Sequence, residues 1–187
     1  VGTGRVTRMY VHQVAHAVLC DRAEHMIGYA KESLGVHRSK LEFRVSENTS
    51  LPDLAGPVDI FIEGWSFGHS AVECRDDRQL AEVTEALVHN ATKNLKSGGR
   101  AIILETLGTN VEEAAAPDPM LERFYHELEH AHGFTRRKIR TDYRFDSNPQ
   151  AAEVMGFFFG PEMEASVRER GTLVIPEWTG AWVKTNA

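Results

Sequence analysis

Only two cysteines, Cys20 and Cys74, occur in 187 residues. That excludes a disulfide-stapled scaffold. Cys20 falls in an apolar stretch, where a thiol packs as a small hydrophobe, so reduced cysteines and a cytoplasmic or nuclear setting are expected. No apolar run reaches roughly 18 residues and no charged-then-apolar leader is present, so neither a membrane span nor a secretory signal is predicted. Positive charge is in short supply: 21 Lys and Arg stand against 27 Asp and Glu, a net charge of -6. Phosphate binding needs clustered cations, so the balance argues against nucleic acid or an anionic membrane as a partner. The single basic run, Arg136-Arg137-Lys138-Ile139-Arg140, reads as a solvated strand face. Repeats and low-complexity segments are absent. What remains, 42% hydrophobic and 26% charged, is enough for one domain with a sizeable core over residues 1–187.

Hydrophobic spacing alternates between strand and helix periods, with short connections, as in a mostly parallel sheet flanked by helices. Helices are predicted over Thr3–Gln13, Ala23–Leu34, Arg78–Leu95, Met120–Ala131, Asn148–Gly160 and Pro161–Arg170. Strands are predicted over Ala15–Cys20, Leu41–Val45, Val58–Ile62, Ala101–Leu104, Arg136–Phe145 and Leu173–Lys184, the last broken near Pro176 or Gly180. Val58–Ile62 is almost continuously apolar, the pattern of a strand buried on both faces. Gly98-Gly99 is expected to end the long helix before the next strand.

The opening residues Val1-Gly2-Thr3-Gly4-Arg5 read as the back half of a glycine-rich nucleotide loop. Glycines are needed there because the backbone turns sharply into a helix and a ligand approaches within contact distance. Downstream, Asp21 closes an apolar strand, where an acid can accept from the two hydroxyls of a ribose. The same acid would also cap the following helix. The strand that leads into such a loop is missing from this chain.

In order and at their junctions, these elements resemble the class I S-adenosylmethionine-dependent methyltransferases, from Gly2 to about Lys184. Gly2-Thr3-Gly4 looks like the end of that family's first motif, and Asp21 like the acid after its second strand. Asp21-Arg22-Ala23-Glu24-His25-Met26 places a Met where the family packs a side chain on adenine. Glu47-Asn48 stands where an Asp and a small residue read the adenine edge, with Glu for Asp a change of one methylene. Asp59-Ile60-Phe61-Ile62 resembles the strand entering the active site, and Leu95-Lys96-Ser97-Gly98-Gly99-Arg100 the turn before strand five. The resemblance implies a Rossmann-like methyltransferase fold with its first strand missing, S-adenosylmethionine as cofactor, and cofactor contacts from Gly2, Thr3, Gly4, Asp21, Arg22, Met26, Glu47, Asn48, Glu63 and Gly64. A sheet without that strand should leave its neighbours with unpaired backbone groups, each costing about 1 to 3 kcal/mol when buried.

Methyl transfer from a sulfonium requires positioning and exclusion of water rather than a metal. Glu63-Gly64-Trp65-Ser66-Phe67-Gly68-His69 follows a strand at its carboxyl end, where open α/β sheets bind ligands. Trp65 and Phe67 offer flat walls for a substrate, and His69 is the candidate proton acceptor. The Asn/Asp-Pro-Pro-aromatic signature of amino-methylating nucleic-acid enzymes is absent, so a small-molecule acceptor is expected; a protein partner or second copy is left open. Phe157-Phe158-Phe159 with Met155 reads as a core cluster before a pocket lining, and Trp178 and Trp182 as strand residues packing on a helix.

His126-Glu127-Leu128-Glu129-His130 fits the zinc-protease pattern of two His at i and i+4. Arg136 stands where the longer pattern needs its third ligand, so no metal site is assigned. Two other functions compete: a non-catalytic relative serving as an interaction module, and a nicotinamide-dependent oxidoreductase, whose fingerprint also pairs glycines with a downstream acid.

Overall fold

The computed structural model describes residues 1–187. Helix α1 (Arg5–Tyr10) leads into β1 (Ala17–Asp21), α2 (Glu24–Ser33) and β2 (Leu41–Val45). Then follow β3 (Val58–Gly64), α3 (Phe67–Val72), α4 (Asp77–Thr92), β4 (Leu95–Thr109) and α5 (Pro119–His130). The chain finishes with β5 (Thr135–Arg140), β6 (Tyr143–Arg144), α6 (Asn148–Phe159), α7 (Pro161–Arg170), β7 (Val174–Ile175) and β8 (Glu177–Thr185). Local chemistry sets these boundaries. Asp76 caps α4 by accepting from the Gln79 amide at 2.8 Å, and Asp118 caps α5 ahead of Pro119. Ser147 caps α6 in the same way, with Pro149 in its first turn. No helix is long and apolar enough to cross a membrane.

Strands β3, β4, β8 and β5 form one sheet in that order; β3 and β4 are parallel, and β8 runs antiparallel to both β4 and β5. Strands β1 and β2 make a separate parallel pair. β6 and β7 make a third, antiparallel pair, so the sheet expected as one piece is in three, and no ladder joins β1 to β3. β3 is an edge strand, and Ile60 is 56% exposed rather than buried on both faces as its sequence predicts.

Two further expectations change. Gly98 and Gly99 lie inside the 15-residue β4, not after the helix. A Cβ on Gly99 would sit 2.9 Å from the Lys96 carbonyl oxygen and 3.1 Å from that of Asp59, so the residue marks a close backbone approach at an irregular register. Arg136–Phe145 is not one strand. Asp142 pairs with Arg140 and accepts from the Glu177 amide at 3.1 Å, turning the chain so that Tyr143–Arg144 pairs with Val174–Ile175 instead. β5 itself is exposed throughout, the solvated basic face that the sequence predicts.

The largest core cluster lies between the four-stranded sheet and α3, α4 and α5, with Phe67, Leu80, Leu87, Ile103, Phe124 and Trp182 buried. Trp182 stacks on Tyr125 with ring centroids 4.3 Å apart and donates through Nε1 to Glu129 Oε1 at 2.9 Å. Gly180 makes room: a Cβ there would lie 2.3 Å from the Trp182 ring, so the indole covers the bare strand. Smaller clusters sit beneath α6 and α7 and beneath β1 and β2.

Candidate functional site

Asp21, Glu47-Asn48 and Glu63-Gly64 lie at or just beyond the carboxyl ends of the parallel strands β1, β2 and β3. Side chains from distant segments tie these ends together. Asn48 Nδ2 donates to Ser66 Oγ at 2.8 Å and to the Ser66 carbonyl at 3.3 Å, and Asn90 holds the Asn48 carbonyl at 3.1 Å. Gly64 is approached by Val6 of α1: a Cβ would lie 3.3 Å from Val6 Cγ2.

The glycine loop has the left-handed backbone that its glycines permit, with φ of 53° at Gly2 and 84° at Gly4. A side chain on Gly4 would crowd Leu34, the residue that ends α2, 3.0 Å away. Thr3 is exposed, and its carbonyl accepts from Ser33 Oγ at 2.7 Å. Asp21 Oδ1 accepts from the Ala23 amide at 2.9 Å, while Oδ2 accepts from the Gly2 amide at 2.8 Å and the Val1 ammonium at 3.2 Å. Burial alone would raise this carboxyl, but the Ala23 and Gly2 amides and the ammonium outweigh it and hold its pKa below the usual range. Met26 is half-buried, and Arg22 and Glu47 are exposed.

Glu63 and Glu105 meet at the start of α3. Glu63 Oε1 accepts from the amides of Ser66 and Phe67, and Glu105 Oε1 accepts from the Gly68 amide at 2.6 Å. Gly68 must lack a side chain, because a Cβ would lie 2.8 Å from Glu105 Oε2. Both acids are buried, at 7% and 3% exposure. Burial, then repulsion from Glu105, drives the Glu63 carboxyl well up; burial pushes Glu105 up to about 7 against the pull of the amides. Two acids buried this close oppose each other's ionisation. Glu105 escapes a reading by motif. Its only signal is an acid following the apolar run Ala101-Ile102-Ile103-Leu104.

Glu105 also lines a cavity of about 600 Å3. His69 and Trp65 line it too, as the sequence suggests, whereas Phe67 does not: its ring is 1% exposed and packs in the core beside Phe61. Trp65 has a φ of 54° and lies beneath the Arg5 guanidinium, 4.8 Å from the ring centroid. The expected aromatic core cluster is also corrected. Met155 is buried, but Phe157, Phe158 and Phe159 are 83%, 69% and 47% exposed, and the last two line the cavity. α6 buries the opposite face, with Ala151 and Ala152, so its aromatic end projects outward.

His126 and His130 stack on each other at 4.0 Å, and Glu129 is engaged by Trp182 and by Arg136, which lies 3.1 Å away. No three His, Cys, Asp or Glu side chains gather closely enough to hold a metal ion.

No family model matches the sequence, and no curated protein matches it. Solved structures do match in shape. The [4+2]-cyclase SpnF superposes with a TM-score of 0.59 at 15% identity, over 100% of this chain and 73% of that one. The YcgJ protein from Bacillus subtilis gives 0.56 at 13% identity, over 99% and 88%. The N-methyltransferase NodS from Bradyrhizobium japonicum WM9, solved in complex with S-adenosyl-L-homocysteine, gives 0.54 at 12%, over 98% and 73%. A cyclase stands beside a methyltransferase in that set, so shape alone does not choose the reaction. The strand order, the ligand-side loops and these superpositions agree on architecture: the chain has the Rossmann-like fold of the class I S-adenosylmethionine-dependent methyltransferases.

Proposed function

We propose that this protein is an enzyme, one methyltransferase-like domain over residues 1–187, that transfers a methyl group from S-adenosylmethionine to a small-molecule acceptor. The observation that carries the proposal is the convergence of Asp21, Glu47-Asn48 and Glu63-Gly64 at the carboxyl ends of three parallel strands, beside a cavity whose wall holds a buried acid with a pKa near neutrality. When bound, the cofactor supplies an electrophilic methyl group on a sulfonium. The chain does the rest: the Gly2 and Gly4 backbone permits close approach, Asp21 accepts hydroxyl hydrogen bonds, and Met26 offers an apolar surface. Glu47 and Asn48 stand at the exit of β2, where an adenine edge can be read.

Glu105 accepts the proton released by the acceptor. It fits that role better than the exposed His69, because a base works best with a pKa near the operating pH and in a site from which water is excluded.

Calorimetry with S-adenosylmethionine, S-adenosylhomocysteine and NAD tests the reading. Binding of neither sulfur compound would overturn it. Asp21→Ala is expected to weaken S-adenosylhomocysteine binding by about ten- to a hundred-fold, since a hydrogen bond to a charged group contributes about 1.5 to 3 kcal/mol. If melting temperature falls while affinity holds, Asp21 is only a turn and helix-start residue. Chelation by EDTA is expected to leave activity unchanged, and chelator-sensitive activity with stoichiometric zinc would return His126 and His130 to consideration as ligands.

A further inference from the structure

We infer that the cavity takes a flat, apolar acceptor bearing a nitrogen that donates a hydrogen bond, an arylalkylamine in chemical class, and that it rejects acids and phosphate esters. The inference rests on the methyl-transfer reading of the same site. Two features of the cavity carry it, one apolar and one polar.

The apolar feature is the end of α6. Phe158 and Phe159 are 69% and 47% exposed while they line the cavity, and Phe145, Val154 and Met155 continue the same wall. Covering large rings left in water is favourable in proportion to the apolar surface that a ligand removes from solvent. A contiguous exposed aromatic surface beside a cavity is thus a surface for covering a ligand.

The polar feature is a pair of buried acids. Glu105 and Glu177 both line the cavity at 3% and 5% exposure, and Glu177 Oε2 has no hydrogen-bond partner. A buried oxygen without a partner is costly, and a donor on the ligand removes that cost. Burial raises the Glu177 carboxyl against the opposing pull of the Thr109 hydroxyl and Arg5. Arg5 is the one Lys or Arg side chain in the lining, and it lies over the Trp65 ring. An incoming carboxylate or phosphate would face two acids with one guanidinium to offset them, whereas an amine meets acceptors on both sides.

In the transfer step the substrate ammonium first loses a proton, and the neutral amine nitrogen then forms the new N–C bond as the S–C bond breaks. The electrons of the broken bond remain on sulfur, and the proton lost from nitrogen passes to Glu105.

The test is calorimetric titration of the protein saturated with S-adenosylhomocysteine, using tryptamine and indole-3-propionate as probes. Tryptamine is expected to bind at least ten-fold tighter than the acid. Glu177→Gln is expected to weaken tryptamine about ten-fold, and Phe158→Ala, an exposed position that the fold does not need, to weaken both probes several-fold. Equal or tighter binding of the acid, no tryptamine binding at millimolar concentration, or unchanged tryptamine affinity in the folded variants would overturn the inference. If Glu177→Gln does not fold, the order of the two probes and Phe158→Ala decide the matter. S-Adenosylhomocysteine titrated alone separates the two claims. Amine binding without it leaves the cavity assignment standing and sinks methyl transfer, while its binding together with acid preference sinks the cavity assignment alone.

Discussion

Glu105→Gln is expected to lower the methyl-transfer rate by about 10²- to 10⁴-fold, the range over which a positioned proton acceptor contributes, while the fold persists. The amide oxygen of Gln can still accept from the Gly68 amide, so the start of α3 is retained. The wild-type rate should rise with pH through about 7 as Glu105 ionises, and that limb should vanish in the variant. Stability should move in the opposite sense. Glu63 and Glu105 both titrate above their usual value of 4.5 in the folded chain, because burial penalises their charged forms. The contribution of Glu105 is therefore complete below about pH 4.5 and is lost as pH rises through about 7, and that of Glu63 is lost in the same direction. Thermal melts should fall for the wild type between about pH 4.5 and 7, and fall less for Glu105→Gln, which removes one of two mutually repelling acids. His69→Gln is the control: its side chain is exposed, so a loss below about ten-fold is expected. If His69→Gln is instead the more damaging change, the proton goes to His69.

Trp182→Ala is expected to destabilise the chain by about 3 to 5 kcal/mol, the usual cost of emptying a buried aromatic site. The ring is 0% exposed, stacks on Tyr125 and covers Gly180, so its removal opens a cavity between α5 and the sheet. Glu129 would keep Arg136 but lose its indole donor. Trp178 provides the comparison. It is only half-buried, with Nε1 donating to the Glu112 carbonyl at 3.2 Å, and its replacement by Ala should cost about 1 kcal/mol. Urea titration of both variants measures the difference, and equal losses would contradict this assignment of the core.

Much of the architecture was legible because it is local. The stripe Leu80, Leu87 and Ala91 faces one side of α4 at helical spacing, and all three are buried. Asn148-Pro149 and Pro161 mark helix starts through the missing amide and fixed φ of proline. The break at Pro176 between β7 and β8 follows from the same missing donor. The placement of Asp21, Glu47 and Glu63 near strand ends was readable for a related reason: strand ends are visible in the hydrophobic pattern, and ligands gather at the carboxyl edge of parallel strands.

Other features depended on who meets whom, and no periodicity encodes that. Phe67 and Phe158 are the same residue type in short helical segments, yet one is 1% exposed and the other 69%. α3 is folded beneath the sheet, whereas the end of α6 runs past its small core of Ala151, Ala152 and Met155. Glu105 and Gly68 are 37 positions apart and share a hydrogen bond. By itself the sequence determined the order of helices and strands, their caps and the edge on which ligand chemistry gathers, since spacing and turn chemistry act within a few residues. The tertiary structure alone decided the split of the sheet into three, the burial of two repelling acids, Glu63 and Glu105, and the aromatic wall beside Glu177, since burial and charge coupling arise only when distant segments close on one another.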